Sequence, residues 1–248
     1  MRFRLAALVV VLCIGFPTPV EGLPHSVPSE ATGPPPSAVK VRSLRPPIVR
    51  DPIPFGRRRK RQMGRYSKRH YGTWGWRLEN PQVIVEHYTD GTSYSGAWST
   101  MASNSAHLGE RPGTCSHFVI DTDGTIYMLV RPDVRCRHAV GMNYTAFGIE
   151  HVGTSDRMVL RNRRQMRSSL RLTVWLMARF QVNIGNVVGH NETLHSPYRH
   201  ERYPSWKCLV HADFPRWAMR RYRHRLRDVA EAKGVKTGAG PVWVSNGC

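Results

Sequence analysis

The chain has 248 residues, with Lys plus Arg at 37 against Asp plus Glu at 17, a formal net charge of +20. That length holds one domain with a real core plus extensions, or two small domains. No stretch is long and apolar enough to span a bilayer as a stable anchor. A field this basic favours polyanionic partners.

At the start, Arg2 and Arg4 precede the apolar run Leu5 to Phe16, and Val20-Glu21-Gly22 offers a permissive cleavage site. This describes a secretory signal peptide over residues 1–22, with an uncleaved N-terminal anchor as the alternative. Cys13 lies inside the apolar run without the small preceding residue of a lipidation site. The expected location is secreted, periplasmic or cell-envelope. Export turns the basic charge away from nucleic acid, the usual partner of a high pI, and towards teichoic acid, lipopolysaccharide phosphates or a membrane surface. Solvated arginine-rich helix faces are the bland alternative.

Residues 23–70 read as a disordered Pro/Arg-rich linker. They contain Pro24, Pro28, Pro34, Pro35, Pro36, Pro46, Pro47, Pro52 and Pro54 and show no apolar periodicity, too little to offset the entropy of ordering. The run Arg57 to Arg61 at its end is expected to be a wall-adhesive or protease-sensitive segment, or simply solvated linker.

The texture changes at Tyr71, where the domain 71–248 begins. Val83-Ile84-Val85-Glu86-His87-Tyr88 is a strand of β-branched and aromatic residues. His117 to Ile120 and Thr125 to Val130 predict two strands joined by the turn Asp121-Thr122-Asp123-Gly124. Phe147 to Val152 predicts a further strand. Met166, Leu170, Val174, Met177 and Ile184 recur at helical spacing. Asn186 to His190 reads as a short buried strand, and Ala218, Tyr222, Leu226 and Val229 as a last amphipathic helix closed by Gly234. Strands mixed with helices make an α/β or α+β domain.

In an exported chain Cys115, Cys136, Cys208 and Cys248 suggest disulfides. Three pairings are open; Cys115 with Cys136 is preferred because the two flank one hairpin-like segment. None sits in a CxxC pair, which argues against a four-cysteine zinc site.

A catalytic zinc needs three protein ligands and an open position. His87 near the end of the first strand and His190 after Val-Val-Gly are placed for such a role, and Glu150 is a carboxylate on a central strand, costly unless paired or working. The ordered motifs say more: Val-Glu-His87-Tyr-Thr, Cys-Ser116-His117-Phe-Val-Ile-Asp-Thr-Asp-Gly-Thr-Ile-Tyr, Arg-His138-Ala-Val-Gly, Asn143, Phe-Gly148-Ile-Glu150, Val-Val-Gly-His190-Asn-Glu and His211-Ala-Asp213-Phe. Over about residues 80 to 230 this series resembles the zinc N-acetylmuramoyl-L-alanine amidases, the type shared by phage amidases, bacterial anhydro-muropeptide amidases and peptidoglycan recognition proteins.

The resemblance implies a mixed α/β fold, with a single central mixed β-sheet flanked by α-helices and a zinc cleft at one sheet face. It implies hydrolysis of the amide between the muramic acid lactyl group and the L-alanine of the peptidoglycan stem peptide, by a monomer without an organic cofactor. His87 and His190 match the two zinc histidines and Asp213 the third ligand. Glu150 matches the acidic residue that handles the proton of the attacking water, and His211 the donor facing the oxyanion.

The segment Thr193 to Val210 is longer than the family pattern. It carries His195, His200 and Cys208 as rival third ligands, and Tyr198, Tyr203 and Trp206 as a possible cleft wall. Asp213 has the alternative of an N-cap for the last helix. His117, His138 and Asn143 are expected to line the cleft or satisfy backbone groups, and Trp74 and Trp76 to pack. A peptidoglycan-binding protein that does not cut is the rival function. A zinc protease is disfavoured because no His-Glu-x-x-His helix occurs.

Overall fold

In a computed structural model, residues 38–248 are described. The expected signal peptide, Cys13 and residues 23–37 of the expected linker lie outside them. In chain order the elements are α1 (Ala38–Leu44), β1 (Val49–Arg50), α2 (Arg57–Tyr71), β2 (Val83–Tyr88), α3 (Tyr94–Ala102), β3 (Phe118–Ile120), β4 (Ile126–Met128), β5 (Ala146–His151), α4 (Asp156–Arg161), α5 (Arg163–Phe180), β6 (Val187–Gly189) and α6 (Arg216–Ala232), with short 3-10 turns between β6 and α6.

The strands form one six-stranded mixed sheet in the order β1-β4-β3-β5-β2-β6, as the mixed α/β expectation has it. All neighbours are parallel except the β3–β4 hairpin. β2 and β5 sit in the middle with both faces covered, which is why they read as nearly unbroken apolar runs rather than alternating ones. The hairpin turn needs Gly124, whose φ of 92° lies in the left-handed region.

One sheet face carries Ile84, Phe118, Ile120, Phe147, Ile149 and Val187 and packs against α1, α4, α5 and α6 in the largest apolar cluster. α5 starts cleanly because the Asn162 side chain accepts hydrogen bonds from the Arg164 and Gln165 N–H groups. Its apolar stripe, including Met166, Leu170, Val174 and Met177, meets Met219, Tyr222, Leu226 and Ala230 of α6. The opposite face carries Val83, Val85, Ala146 and Val188 under Ala139 and Met142. Beside them Val119 packs with Met101 of α3 and the cysteines Cys115 and Cys136. Alternation along β2 therefore sends His87 to the second face with Val83 and Val85, and Glu86 to the helical face with Ile84.

Disulfides join Cys115 to Cys136 and Cys208 to Cys248, which includes the preferred pair. No helix among the described residues is long and apolar enough to cross a membrane.

The disordered linker expected up to residue 70 is corrected from residue 38 onward. Val41, Leu44 and Ile48 pack on the helical core. β1 extends the sheet beside β4, and Ile53 joins the other face. The Arg57–Arg61 run opens α2, whose Met63, Tyr66 and Tyr71 pack with Trp206. Arg59 is 2% exposed because its guanidinium donates to the carbonyls of Met101, Gly113 and Thr114 at 2.7–3.2 Å. A basic run thus folds because one arginine serves three carbonyls distant in sequence while Arg57, Arg58 and Arg61 stay in water.

Candidate metal centre and cleft

At the C-terminal end of the central strands His87 of β2 stands in register beside Glu150 of β5. β6 runs parallel on the other side of β2 and delivers His190 just past its end. Asp213 comes from the approach to α6. The chain before α6 passes directly over Gly189: a Cβ there would lie 1.8 Å from the Phe214 carbonyl oxygen. Phe214 takes a left-handed φ of 51° and is fully buried. Absence of a side chain at Gly189 is therefore what lets Asp213 reach His190.

The ligand atoms of these three buried residues all lie within 4.8 Å of one another. His87 Nδ1 is 2.9 Å from His190 Nδ1, and Asp213 approaches His87 at 3.3 Å and His190 at 3.2 Å. The tautomers follow from the outer contacts. His138 Nε2 faces the Ala146 carbonyl at 3.2 Å, so that nitrogen bears the proton and donates. His138 Nδ1 then accepts from His87 Nε2 at 3.1 Å, leaving the His87 Nδ1 lone pair aimed at His190 and Asp213. Burial, and secondarily His190, lowers the His87 pKa to about 4, so the ring is neutral. Burial alone would raise the Asp213 carboxyl, but the adjoining His190 and His87 rings outweigh it and hold the group well below the usual carboxylate range. Imidazole nitrogens converging with a carboxylate are a donor set for a cation such as zinc; the residues fit the metal.

His195, His200 and Cys208 lie outside this cluster; Cys208 is spent in its disulfide. Asp213 does not cap α6, which opens after Pro215 without a side-chain cap. Tyr198, Tyr203 and Trp206 do not line the cleft. Trp206 is buried with Tyr66 and Tyr71 of α2, and Tyr198 packs beneath Val188. The long segment after His190 is thus a brace joined to α2 rather than an aromatic wall. His70 of α2 anchors it, with its two ring nitrogens 2.8 Å from Glu201 and 3.0 Å from Glu110.

Above the cluster opens a cavity of about 600 Å³, lined by His87, Glu150, His190, His211 and Asp213 together with Thr89 to Ser93, Gly96, Ala97 and Leu108. Glu150 has one enclosed carboxylate oxygen without a hydrogen-bond partner. Burial, then the nearby Asp213 charge, raises its pKa to about 8. Such a carboxyl exchanges protons near neutrality. His211 is exposed at the rim and stacks on His190, with ring centroids 4.8 Å apart. Asn143 accepts from the N–H groups of His138 and Ala139, both at 2.8 Å, so it shapes the loop that presents His138.

His138 lines the cleft and is hydrogen-bonded, as expected; its contact with His87, and any role for His151, were not anticipated from sequence. His151 Nδ1 is 2.8 Å from the His87 carbonyl, and its other nitrogen is 2.8 Å from Ser169 Oγ. Ser169 and Thr173 share Tyr222, and Thr173 donates to Glu86 at 3.0 Å. A buried polar network thus grips the main chain of β2 from beneath at the residue that carries the histidine. Burial raises Glu86 to about 8. The visible signal was polar residues, Glu86 and His151, set within apolar strands.

The fold and this histidine–carboxylate centre define a hydrolase of the amidase class. Residues 77–205 match the family model described as N-acetylmuramoyl-L-alanine amidase, and the chain belongs to that family. No curated relative matches. Among solved structures, the chain is similar to the endolysin amidase LysCS from Clostridium intestinale, at 25% identity over 58% of this chain and 81% of that one, TM-score 0.39. It is also similar to a mutant endolysin from Bacillus subtilis, at 20% identity over 74% and 98%, TM-score 0.44. A third is the amidase AmiD from E. coli, in complex with an anhydro-muramyl peptide substrate, at 20% identity over 46% and 50%, TM-score 0.38.

Proposed function

We propose that the chain is an exported, zinc-dependent N-acetylmuramoyl-L-alanine amidase that separates the lactyl group of muramic acid from the L-alanine of the stem peptide. Family membership carries the amidase activity on peptidoglycan; zinc dependence rests on the convergence of His87, His190 and Asp213, and export on the N-terminal sequence.

His87, His190 and Asp213 would hold the zinc, which when bound supplies a Lewis acid that acidifies water and polarises the scissile carbonyl. Glu150 takes a proton from the attacking water and returns it to the leaving L-alanine amine. His211, at the cavity rim, donates to the oxygen on which charge develops. Thr89 to Ser93, with Gly96 and Ala97, give the stem peptide a surface in the cavity to lie against.

Zinc content of the purified protein tests the metal assignment. About one equivalent in the wild type, lost in Asp213→Ala, supports it; full occupancy in the variant removes Asp213 from the ligand set. Bound zinc with peptidoglycan left intact would instead mark a binding protein.

A further inference from the structure

The helical face turned away from the cleft carries charge that amide hydrolysis does not use. α5 contains Arg163, Arg164, Arg167, Arg171 and Arg179 and no carboxylate. Arg163, Arg167 and Arg171 are four residues apart, so they line one stripe about 6 Å from step to step. All three are exposed and make no hydrogen bond or ion pair with the described residues. Like charges at this spacing oppose helix formation, so the stripe is a cost to the free protein.

The stripe forms one wall of a groove of about 990 Å³ between α5 and α6. Arg225 and Lys233 stand on the other wall, with Arg161 at one end and Asp228 the single acidic residue lining it. Arg225 is fixed by donating to the Leu160 carbonyl at 2.8 Å, and Asp228 is engaged by His224 at 3.5 Å. The floor is apolar, with Met166 and Leu170 buried. Cations therefore face each other across a trough on a scale set by adjacent helices.

We infer that this groove holds a linear phosphodiester polymer of the cell envelope. Charge complementarity gives the class of partner: a row of guanidiniums pairs with successive phosphates and releases their counterions. Shape favours an extended chain over a bilayer. The apolar floor is recessed, and none of the exposed large hydrophobic residues lines the groove to enter a membrane. Helical layer and cleft lie on opposite sheet faces, so polymer bound behind leaves the active cleft open to stem peptides. The choice of an envelope polymer rests on the export reading; the binding itself does not require hydrolysis.

The test uses the full chain and purified poly(glycerol phosphate), with affinity measured by calorimetry across a salt series. R163Q/R167Q/R171Q is compared with R57Q/R58Q/R61Q, which removes equal charge from the exposed side of α2. Expected are at least a tenfold loss of affinity and a salt slope smaller by about 2 in the groove variant. The α2 variant binds as wild type, and all three proteins cleave a soluble muramyl peptide equally. Equal losses in both variants would reduce the effect to net charge and overturn the site. So would no polymer binding by the wild type, or groove-dependent binding to phosphatidylglycerol vesicles and not to polymer. Failure of muramyl-peptide cleavage in the wild type would count against the amidase and not against the groove.

Discussion

His87 Nε2 and His138 Nδ1 are 3.1 Å apart, and the far nitrogen of His138 faces the Ala146 carbonyl at 3.2 Å. This chain of contacts fixes the orientation and tautomer of His87, the first histidine of the proposed zinc site, with a second imidazole in place of a carboxylate or carbonyl. Gly148 makes room for it, since a Cβ there would stand 2.7 Å from the His138 ring. Outer partners of this kind are worth about 10- to 100-fold in metal affinity. His138→Ala is expected to weaken zinc by that factor in chelator competition, with folding unchanged. His138→Gln, able to accept from His87 and donate to Ala146, is expected to recover part of it. Unchanged affinity in His138→Ala would mean that His87 needs no such partner.

Gly189→Ala tests the crossing that brings Asp213 to His190. The added methyl meets the Phe214 carbonyl oxygen at 1.8 Å, backbone that cannot swing aside like a long side chain. Expected are loss of zinc and of peptidoglycan hydrolysis, and a thermal midpoint lower by several degrees, the effect of a kcal/mol or more of strain. A variant that keeps its zinc would show that the 213–214 segment moves without cost.

Acid stability follows from buried neutral histidines. His117 has Nε2 2.9 Å from the Val134 carbonyl and Nδ1 accepting the Gly148 N–H at 3.0 Å. Its pKa is lowered by burial to about 4 from an ordinary 6.5. Between those values the unfolded chain binds a proton that the folded chain refuses. The contribution is thus fully present above pH 6.5 and is lost as pH falls towards 4. Denaturant midpoints are expected to fall across that window, while the His117 ring stays neutral by NMR down to about pH 4. A His117 titration near 6.5 would contradict the buried tautomer.

The docking of α2 is tested at Arg59. Arg59→Met leaves the carbonyls of Met101, Gly113 and Thr114 without their donor, a loss of about 1–3 kcal/mol or more. Urea midpoints of the variant should drop accordingly. A chain beginning at residue 72 should be less stable still, because Trp206 and the apolar residues of α2 lose one another. Equal stability of the truncated chain would restore a linker ending at residue 70.

Strand cores and the long helix stripe were legible because β2, β5 and α5 are periodic and apolar. His87, Glu150, His190 and Asp213 were legible as an ordered set, although nothing local marks Asp213; its partner glycine, Gly189, acts through a crossing that sequence does not reveal. The segment from Ala38 to Tyr71 was not legible. Its apolar anchors, such as Val41, Ile53 and Met63, stand singly among prolines and arginines, and Arg59 is buried by carbonyls distant in sequence. α3 has little amphipathic pattern, so nothing in Tyr94–Ala102 marks it as a helix in the sequence. His138 looked like one cleft histidine among several, because its meaning lies in a tautomer set by two contacts.

The most direct test is hydrolysis of peptidoglycan by the full chain, wild type and Glu150→Gln, with and without added zinc, the products read by mass spectrometry. Zinc-dependent release of peptides with a free N-terminal L-alanine is expected, with the rate falling about 10²- to 10⁴-fold in the variant while zinc content stays the same. Intact peptidoglycan with the zinc-loaded wild type, or full activity in Glu150→Gln, would contradict the account.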